Sequence, residues 1–303
     1  MNSWVVATQV ATLFIVIIIG FIARKTNIIT EDMTGKLSNF LLLITQPMLI
    51  ISSFDFEFSQ DIMINALLVL AMSVLIHVLA ILVGMIVYKK YPARVRSVLK
   101  FFTVFSNCGY MGFPVLDSLF GSIGVFYGAL YVIPFNVFSM SYGILVFTGK
   151  SDKDTIKKIL THPAIISVGI GMVMFLLNIK LPEAIANAVS MVGSMTSPLS
   201  MLIVGALLAG IPFRKMFKGS EVYIGSAVRL ILMPLMVYGI LKLFNLPEIV
   251  FRVSVTLSAM PAAASTAIFA ERYGGDSELG SRCVSISTIF SIITIPLIVM
   301  LLK

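Results

Sequence analysis

The sequence is dominated by ten apolar runs, each about as long as a membrane-crossing helix. An α-helix of about 20 apolar residues spans the hydrocarbon core of a bilayer. The runs cover residues 4–23, 37–54, 62–87, 98–120, 123–147, 163–179, 184–209, 222–241, 249–270 and 283–302. Of the 303 residues 58% are hydrophobic and 12% are charged, whereas about a quarter of the residues in soluble domains are charged. The sequence therefore predicts an all-α membrane protein with ten transmembrane helices.

The basic residues alternate between the two sides of these runs. Most of the 22 lysines and arginines fall in the loops that follow the odd-numbered runs. The opposite side holds Lys180, Lys242 and Lys303. Because cytoplasmic loops carry the excess of lysine and arginine, this pattern predicts a cell-membrane protein with cytosolic odd-numbered loops and extracytoplasmic termini. A nucleic-acid partner is not indicated.

The fourth run contains residues that interrupt a helix. The stretch Ser106–Pro114 holds Asn107, two glycines and Pro114. Proline lacks a backbone donor and clashes with the preceding turn, and glycine lowers the cost of leaving helical geometry. Backbone freed at membrane depth is tolerated only where protein or a watery cavity surrounds it. The stretch predicts half of a substrate site, with a packing kink as the simpler alternative.

The second half of the chain repeats sequence features of the first half. Thr45–Pro47 and Thr196–Pro198 share the pattern Thr-x-Pro at an offset of 151 residues. Ala259–Thr266 interrupts the ninth run as Asn107–Pro114 interrupts the fourth. Five runs in each half would give the halves opposite orientations. The pattern predicts a 5+5 inverted repeat whose site lies where the broken fourth and ninth helices cross near the midplane. The predicted repeats are residues 1–150 and 151–303.

The predicted substrate site combines half-helix N-termini with amide and hydroxyl side chains. Helix N-termini present positive dipole ends and unpaired N–H groups, which together bind anions without a lysine. The candidate residues are Asn107, Cys108, Gly109, Pro114, Thr45, Gln46, Thr196, Ser197, Pro261, Ala263, Ser265 and Thr266. For each serine or threonine singly, bonding to its own backbone or helix packing is an equal alternative.

Three ionisable residues within the runs are candidates for a role of charge. Arg229 either reaches the cytosolic interface or faces inward and attracts an anion. His77 is expected to be neutral and bonded to a neighbouring helix, although a histidine can titrate near neutrality. Asp117 either binds a proton or cation, or faces extracytoplasmic water, the interpretation we favour. No catalytic motif, metal site or organic cofactor is predicted, and the choice of H⁺ or Na⁺ as coupling ion stays open.

These motifs resemble those of the auxin efflux carrier family, which includes plant auxin exporters and bacterial dicarboxylate carriers. Asn107-x-x-x-Met111-Gly112-Phe113-Pro114 resembles the family's fourth-helix motif. Ala259–Pro261, followed by Phe269–Tyr273, resembles its ninth-helix motif. The chain departs from the plant pattern in its short 149–161 loop and in Ser265-Thr266, where plant members place another proline. Auxin itself is therefore not implied as the substrate.

The resemblance implies a scaffold domain of spans 1, 2, 6 and 7 and a transport domain of spans 3–5 and 8–10. It further implies an elevator-like motion and a homodimer formed through the scaffold domain. Asn107 matches the family's substrate-contacting asparagine. Taken together, the sequence predicts a secondary transporter for a small organic anion such as a carboxylate. The alternatives are a sodium-coupled bile-acid-type symporter, which shares this topology, and a channel or sensor derived from the same fold. An enzyme is not indicated.

Overall fold

A computed structural model describes residues 3–150, 154–210 and 216–302. Within these ranges the regular structure is helical, apart from one isolated antiparallel bridge between Ser106 and Ala262. The helices are α1 Ser3–Lys25, α2 Glu31–Ser52, α3 Gln60–Val87, α4 Ala93–Val104, α5 Cys108–Thr148, α6 Thr155–Leu160, α7 Pro163–Leu176, α8 Glu183–Ala209, α9 Ser220–Phe244, α10 Glu248–Ser258, α11 Ser265–Arg272 and α12 Ser277–Leu301.

Among the described helices, six are long and apolar enough to cross a membrane. They are α2, α3, α5, α8, α9 and α12. Helix α7 is also apolar but shorter. The protein is therefore an all-helical, multi-pass membrane protein. The predicted fourth run falls on α4 and the beginning of α5, and the predicted ninth run falls on α10 and α11.

Helix α2 begins at Glu31, earlier than the start at residue 37 that the apolar pattern predicts. The Thr30 side chain caps the helix by accepting a hydrogen bond from the Met33 N–H over 3.2 Å. Acidic residues in the first turn, Glu31 and Asp32, interact favourably with the positive end of the helix dipole. The hydropathy pattern does not include this turn because its residues are polar. The Thr30 cap explains why the helix nevertheless begins there.

Some prolines inside the long helices directly follow π-helical turns. The turns Leu41–Thr45 and Val228–Leu232 end two residues before Pro47 and Pro234. A proline removes the N–H that would bond to the preceding turn, so the chain there widens locally. The prolines therefore distort these helices without ending them.

Helix α5 changes direction at Gly121, where φ is 64° and ψ is −157°. A residue with a Cβ adopts this positive φ only at a cost. The position coincides with the predicted boundary between the fourth and fifth runs. We call residues 108–120 the first arm of α5 and residues 122–148 its second arm.

Helices α1 and α8 pack with their backbones in close contact. A Cβ added at Gly20 would overlap the Leu202 carbonyl, and one added at Gly205 would overlap the Ile17 carbonyl. Small residues allow membrane helices to approach in this way. The outer face of α1 is apolar, and its isoleucines are more than half exposed: Ile15, Ile18, Ile19 and Ile22. Such a face suits contact with lipid.

Candidate functional site

Two non-helical connections cross inside the bundle, one between α4 and α5 and the other between α10 and α11. The backbone N–H of Asn107 donates to the Pro261 carbonyl over 2.7 Å. The N–H of Ala263 donates to the Phe105 carbonyl over 2.9 Å. The two connections therefore pair through one antiparallel bridge, between Ser106 and Ala262, which satisfies backbone groups that lipid could not solvate. We call this pairing the crossing.

The non-helical residues of the first connection come earlier in the chain than the sequence predicts. Residues 105–107 are the non-helical ones, and Cys108–Gly112 already forms a π-helical turn. Helix α5 already begins at Cys108, and its π-helical turn Cys108–Gly112 ends two residues before Pro114, as in α2 and α9. Pro114 therefore distorts the start of α5 locally and does not end the helix.

Close packing holds the crossing in place. A Cβ added at Gly112 would lie 2.7 Å from a side-chain carbon of Leu257, so glycine allows α5 to pass the end of α10. The N–H of Ala262 donates to the Ser287 hydroxyl over 3.3 Å, which ties the crossing to α12. The crossing is thus bounded by α5, α10 and α12.

Arg229 on α9 joins the two helix ends that enter the crossing. Its guanidinium donates to the carbonyls of Thr103 and Ser258 at 2.8 Å each and of Met260 at 3.1 Å. Thr103 lies in the last turn of α4 and Ser258 ends α10, so the cation faces two negative helix-dipole ends. The residue is 2% exposed. Arg229 therefore neither snorkels to the interface nor lines the cavity described next, which corrects both readings that the sequence suggests.

A cavity of about 550 Å³ adjoins the crossing. Asn107 and Ala264 line it at the crossing, and Arg24 and Glu31, from the end of α1 and the start of α2, also line it. Residues of α8, α11 and α12 complete the wall. The volume suits a small molecule.

Hydroxyl groups line this cavity in two helical stripes that sequence reasoning missed. One stripe on α2 consists of Thr34 and Ser38, and the other on α12 consists of Ser281, Ser285 and Thr288. The spacings of three and four residues place each stripe on one helix face. That periodicity, which begins just before each apolar run and continues into it, is the signal that could have identified them. Tyr110, on the first arm of α5, also lines the cavity and was not predicted.

Of the predicted substrate-site residues, Asn107 lines the cavity. Ala264, which also lines it, sits between the predicted Ala263 and Ser265. The other predicted residues are not part of its wall: Cys108, Gly109, Pro114, Thr45, Gln46, Thr196, Ser197, Pro261, Ala263, Ser265 and Thr266. Several of these, including Pro261 and Ala263, build the crossing itself.

Both threonines of the Thr-x-Pro patterns are buried, as is Gln46, whereas Pro198 is exposed. The Thr45 hydroxyl is 3.5 Å from the Leu41 carbonyl on its own helix. The Gln46 amide nitrogen lies 3.6 Å from the position that a Cβ on Gly109 would occupy. Within the described part of the chain, the buried side-chain oxygens of Gln46, Thr196 and Thr266 have no hydrogen-bond partner. Polar atoms without partners therefore lie beside the start of α5, on Gln46, and in the first turn of α11, on Thr266.

His77 and Asp117 lie away from the cavity wall. The His77 Nδ1 is 2.7 Å from the Ser73 carbonyl on its own helix, and its ring stacks on Phe138 with centroids 5.3 Å apart. The expected bond to a neighbouring helix is therefore wrong, because the carbonyl one turn earlier is the partner. Asp117 is exposed on the first arm of α5.

Comparisons with known proteins identify the family. The sequence profile of a family described as membrane transport protein matches residues 5–157 and 150–299. The chain belongs to this family. An uncharacterized transporter of Methanothermobacter thermautotrophicus is 26% identical over 299 residues, which are 95% of each chain. The uncharacterized transporter MJ1031 of Methanocaldococcus jannaschii is 24% identical over 299 residues, 95% of this chain and 96% of the relative.

A third relative covers less of the chain. The uncharacterized transporter YfdV of Escherichia coli is 24% identical over 201 residues, 62% of each chain. The resemblance to auxin efflux carriers is thus confirmed at the level of the family. The protein is a membrane transporter of the membrane transport protein family, which is a family of transporters and not of enzymes.

Proposed function

We propose that this transporter is a secondary carrier of small organic anions, with carboxylates as the substrate class. The observation that carries the proposal is the crossing, at which Asn107 both pairs with Pro261 and lines the cavity. At the crossing, non-helical backbone lies beside a cavity whose volume suits a small molecule. Substrate is expected to bind between Asn107 and the beginning of α11.

The charges around the crossing favour an anion. Helices α5 and α11 begin there, and each N-terminus contributes about half a positive charge. The opposite dipole ends, at the C-termini of α4 and α10, are neutralised by Arg229. The Asn107 amide adds a donor. The resulting positive potential needs no lysine in the cavity.

The inverted ten-span architecture belongs to the same proposal. In it, α4 with the first arm of α5 is one broken span, and α10 with α11 is the other, each in its own five-span repeat. The close α1–α8 contact at Gly20 and Gly205 supports a rigid scaffold built from spans 1, 2, 6 and 7. The remaining spans would carry the crossing past this scaffold in an elevator motion, and the scaffold would form a homodimer.

The cavity would open to the cytosol in this conformation. Arg24, Glu31 and Gly210 line it, and all three lie in or beside the loops after the first and seventh runs. The excess of lysine and arginine in those loops supports a cytosolic location for them. Both chain termini would then be extracytoplasmic in the cell membrane. A cytosol-facing site favours export.

Flux measurements in proteoliposomes test the proposal. Purified protein is reconstituted, and uptake or counterflow is measured with radiolabelled monocarboxylates, dicarboxylates and, as a comparison, amines. We expect saturable flux of at least one carboxylate and none of the amines. Replacing external Na⁺ by K⁺, and imposing a pH gradient, identifies the coupling ion. Folded protein without flux of any carboxylate would contradict the proposal, and strict sodium dependence would favour the symporter alternative.

The variant N107A tests the site. Loss of a buried hydrogen bond to substrate should weaken binding by about 1–3 kcal/mol. N136A is the matched control, because Asn136 is also buried but donates to the Val132 carbonyl of its own helix. Substrate affinity is measured by titration calorimetry. Equal substrate affinities in N107A and N136A would show that the Asn107 side chain does not bind the substrate.

A further inference from the structure

An ion pair lies at the cavity mouth, between the last turn of α1 and the first turn of α2. The Nη2 of Arg24 is 3.2 Å from the Oε2 of Glu31, and both residues line the cavity. The two side chains differ in burial, with 18% of Arg24 and 94% of Glu31 exposed. The cation is held in the wall while the carboxylate projects into solvent.

Among the described residues that line the cavity, Arg24 is the one cation and Glu31 the one carboxylate. The rest of the wall is apolar or carries hydroxyl and amide groups. A low-dielectric wall concentrates the field of a single charge along the passage. An anion moving from the mouth toward Asn107 would therefore meet one fixed positive side chain.

The geometry of this ion pair would allow an anion to displace Glu31 from Arg24. Pairs with a solvent-exposed partner contribute little to stability. The bond runs through Nη2 and Oε2, whereas the strongest arginine–carboxylate pairs use two parallel bonds. The Glu31 carboxylate also has the same chemistry as the substrate class. It occupies the position that a substrate carboxylate would take.

We propose that Arg24 is the anion-binding residue of a subsite at the cavity mouth, and that Glu31 occupies this subsite until a substrate carboxylate displaces it. The proposal rests on the proposed function for its substrate class. It adds a second carboxylate position, distinct from the crossing. Glu31 thereby lowers the apparent affinity for substrate, and Arg24 raises it.

Opposite effects of two variants test this subsite. Malonate, a small dicarboxylate, is the probe, and its binding to purified protein is measured by titration calorimetry alongside flux in proteoliposomes. In R24Q we expect affinity to fall about tenfold, the size of a lost charge-assisted hydrogen bond. In E31Q we expect affinity to rise about two- to fivefold, since an exposed pair is weak.

The matched control is K25Q, which removes the same charge one residue away. Lys25 is exposed, lies against the Phe21 ring and is not part of the cavity wall. Unchanged affinity in K25Q excludes a general effect of net charge, and thermal unfolding of each variant excludes misfolding. Equal malonate affinity in R24Q and the wild type, weaker affinity in E31Q, or no malonate binding to the wild type would each overturn the subsite.

The two proposals fail in different ways. Malonate binding that depends on Arg24, in protein without flux of any carboxylate, supports the subsite and contradicts carboxylate transport. Flux with affinities that do not respond to R24Q supports transport and contradicts the subsite. If Arg24 serves only as a cation at the C-terminus of α1, R24Q lowers the unfolding temperature and leaves malonate affinity unchanged.

Discussion

Arg229 shows how a single buried charge organises the crossing. It has three carbonyl partners, two at the ends of α4 and α10 and a third at Met260 in the connection after α10. A buried charge is costly unless hydrogen bonds and dipoles compensate it. Here the helix ends of α4 and α10 supply both, so the cation is stabilised without a carboxylate. The arrangement fixes the ends of the two helices relative to each other.

Substitution of Arg229 should therefore loosen the crossing. R229M leaves three buried carbonyls without their donor, at about 1–3 kcal/mol for each unsatisfied group, and should lower the unfolding temperature strongly. R229K keeps the charge but lacks the planar fork, so we expect an intermediate loss. Thermal unfolding in detergent measures both. R282M is the control, because Arg282 also donates to a carbonyl, that of Lys218, at an exposed position. An R229M protein as stable as R282M would contradict the assigned role.

Residues of the site could be predicted from sequence only where composition marks them. Asn107 stands out because an amide in an apolar run beside two glycines is unusual. Arg229 stands out as an intramembrane charge, but its partners are backbone carbonyls, which no residue pattern encodes. Ser281 and Ser285 were missed because hydroxyls are common in membrane helices. The predicted Thr45 and Thr196 are buried, and whether they act on substrate stays a prediction.

At the scale of elements, apolar runs predict helices well and their ends poorly. Helix α2 extends past its apolar run because Thr30 caps a polar first turn. The non-helical residues near Ser106 precede the proline that predicted them, because a π-helical turn accommodates Pro114 inside α5. The pairing of the two breaks could not be predicted from local sequence, since it joins residues 106 and 262.

The α1–α8 contact gives a prediction at this scale. G205A places a methyl group against the α1 backbone, where it would also stand 2.7 Å from the Phe21 nitrogen, so the helices must separate. We expect a loss of about 1–3 kcal/mol, the usual cost of overpacking. The control G239A, on α9, meets open space and should be neutral or stabilising by up to about 1 kcal/mol. Thermal unfolding of the two alanine variants is compared, and equal stability would show that α1 and α8 do not pack this closely.

At the scale of the whole molecule, the distribution of charge and the position of the cavity are linked. The cavity mouth lies at the end of the bundle that holds Arg24 and Gly210. The positive-inside pattern predicts that this end faces the cytosol. The state seen here would then be the one that admits substrate from inside the cell. The proposed alternating access would require a second state, with the crossing open to the other side.

The two ends of α9 provide a direct test of this orientation. Lys218 precedes the helix and Lys242 lies near its end, and both are exposed. In intact cells we expect a membrane-impermeant maleimide to label K242C and to leave K218C unlabelled. Both should react after permeabilisation. The wild type is the background control, because its free cysteines, Cys108 and Cys283, are buried. Labelling of K218C in intact cells would show that the orientation is the opposite one. The cavity mouth would then face the outside, and the inferred export would be wrong.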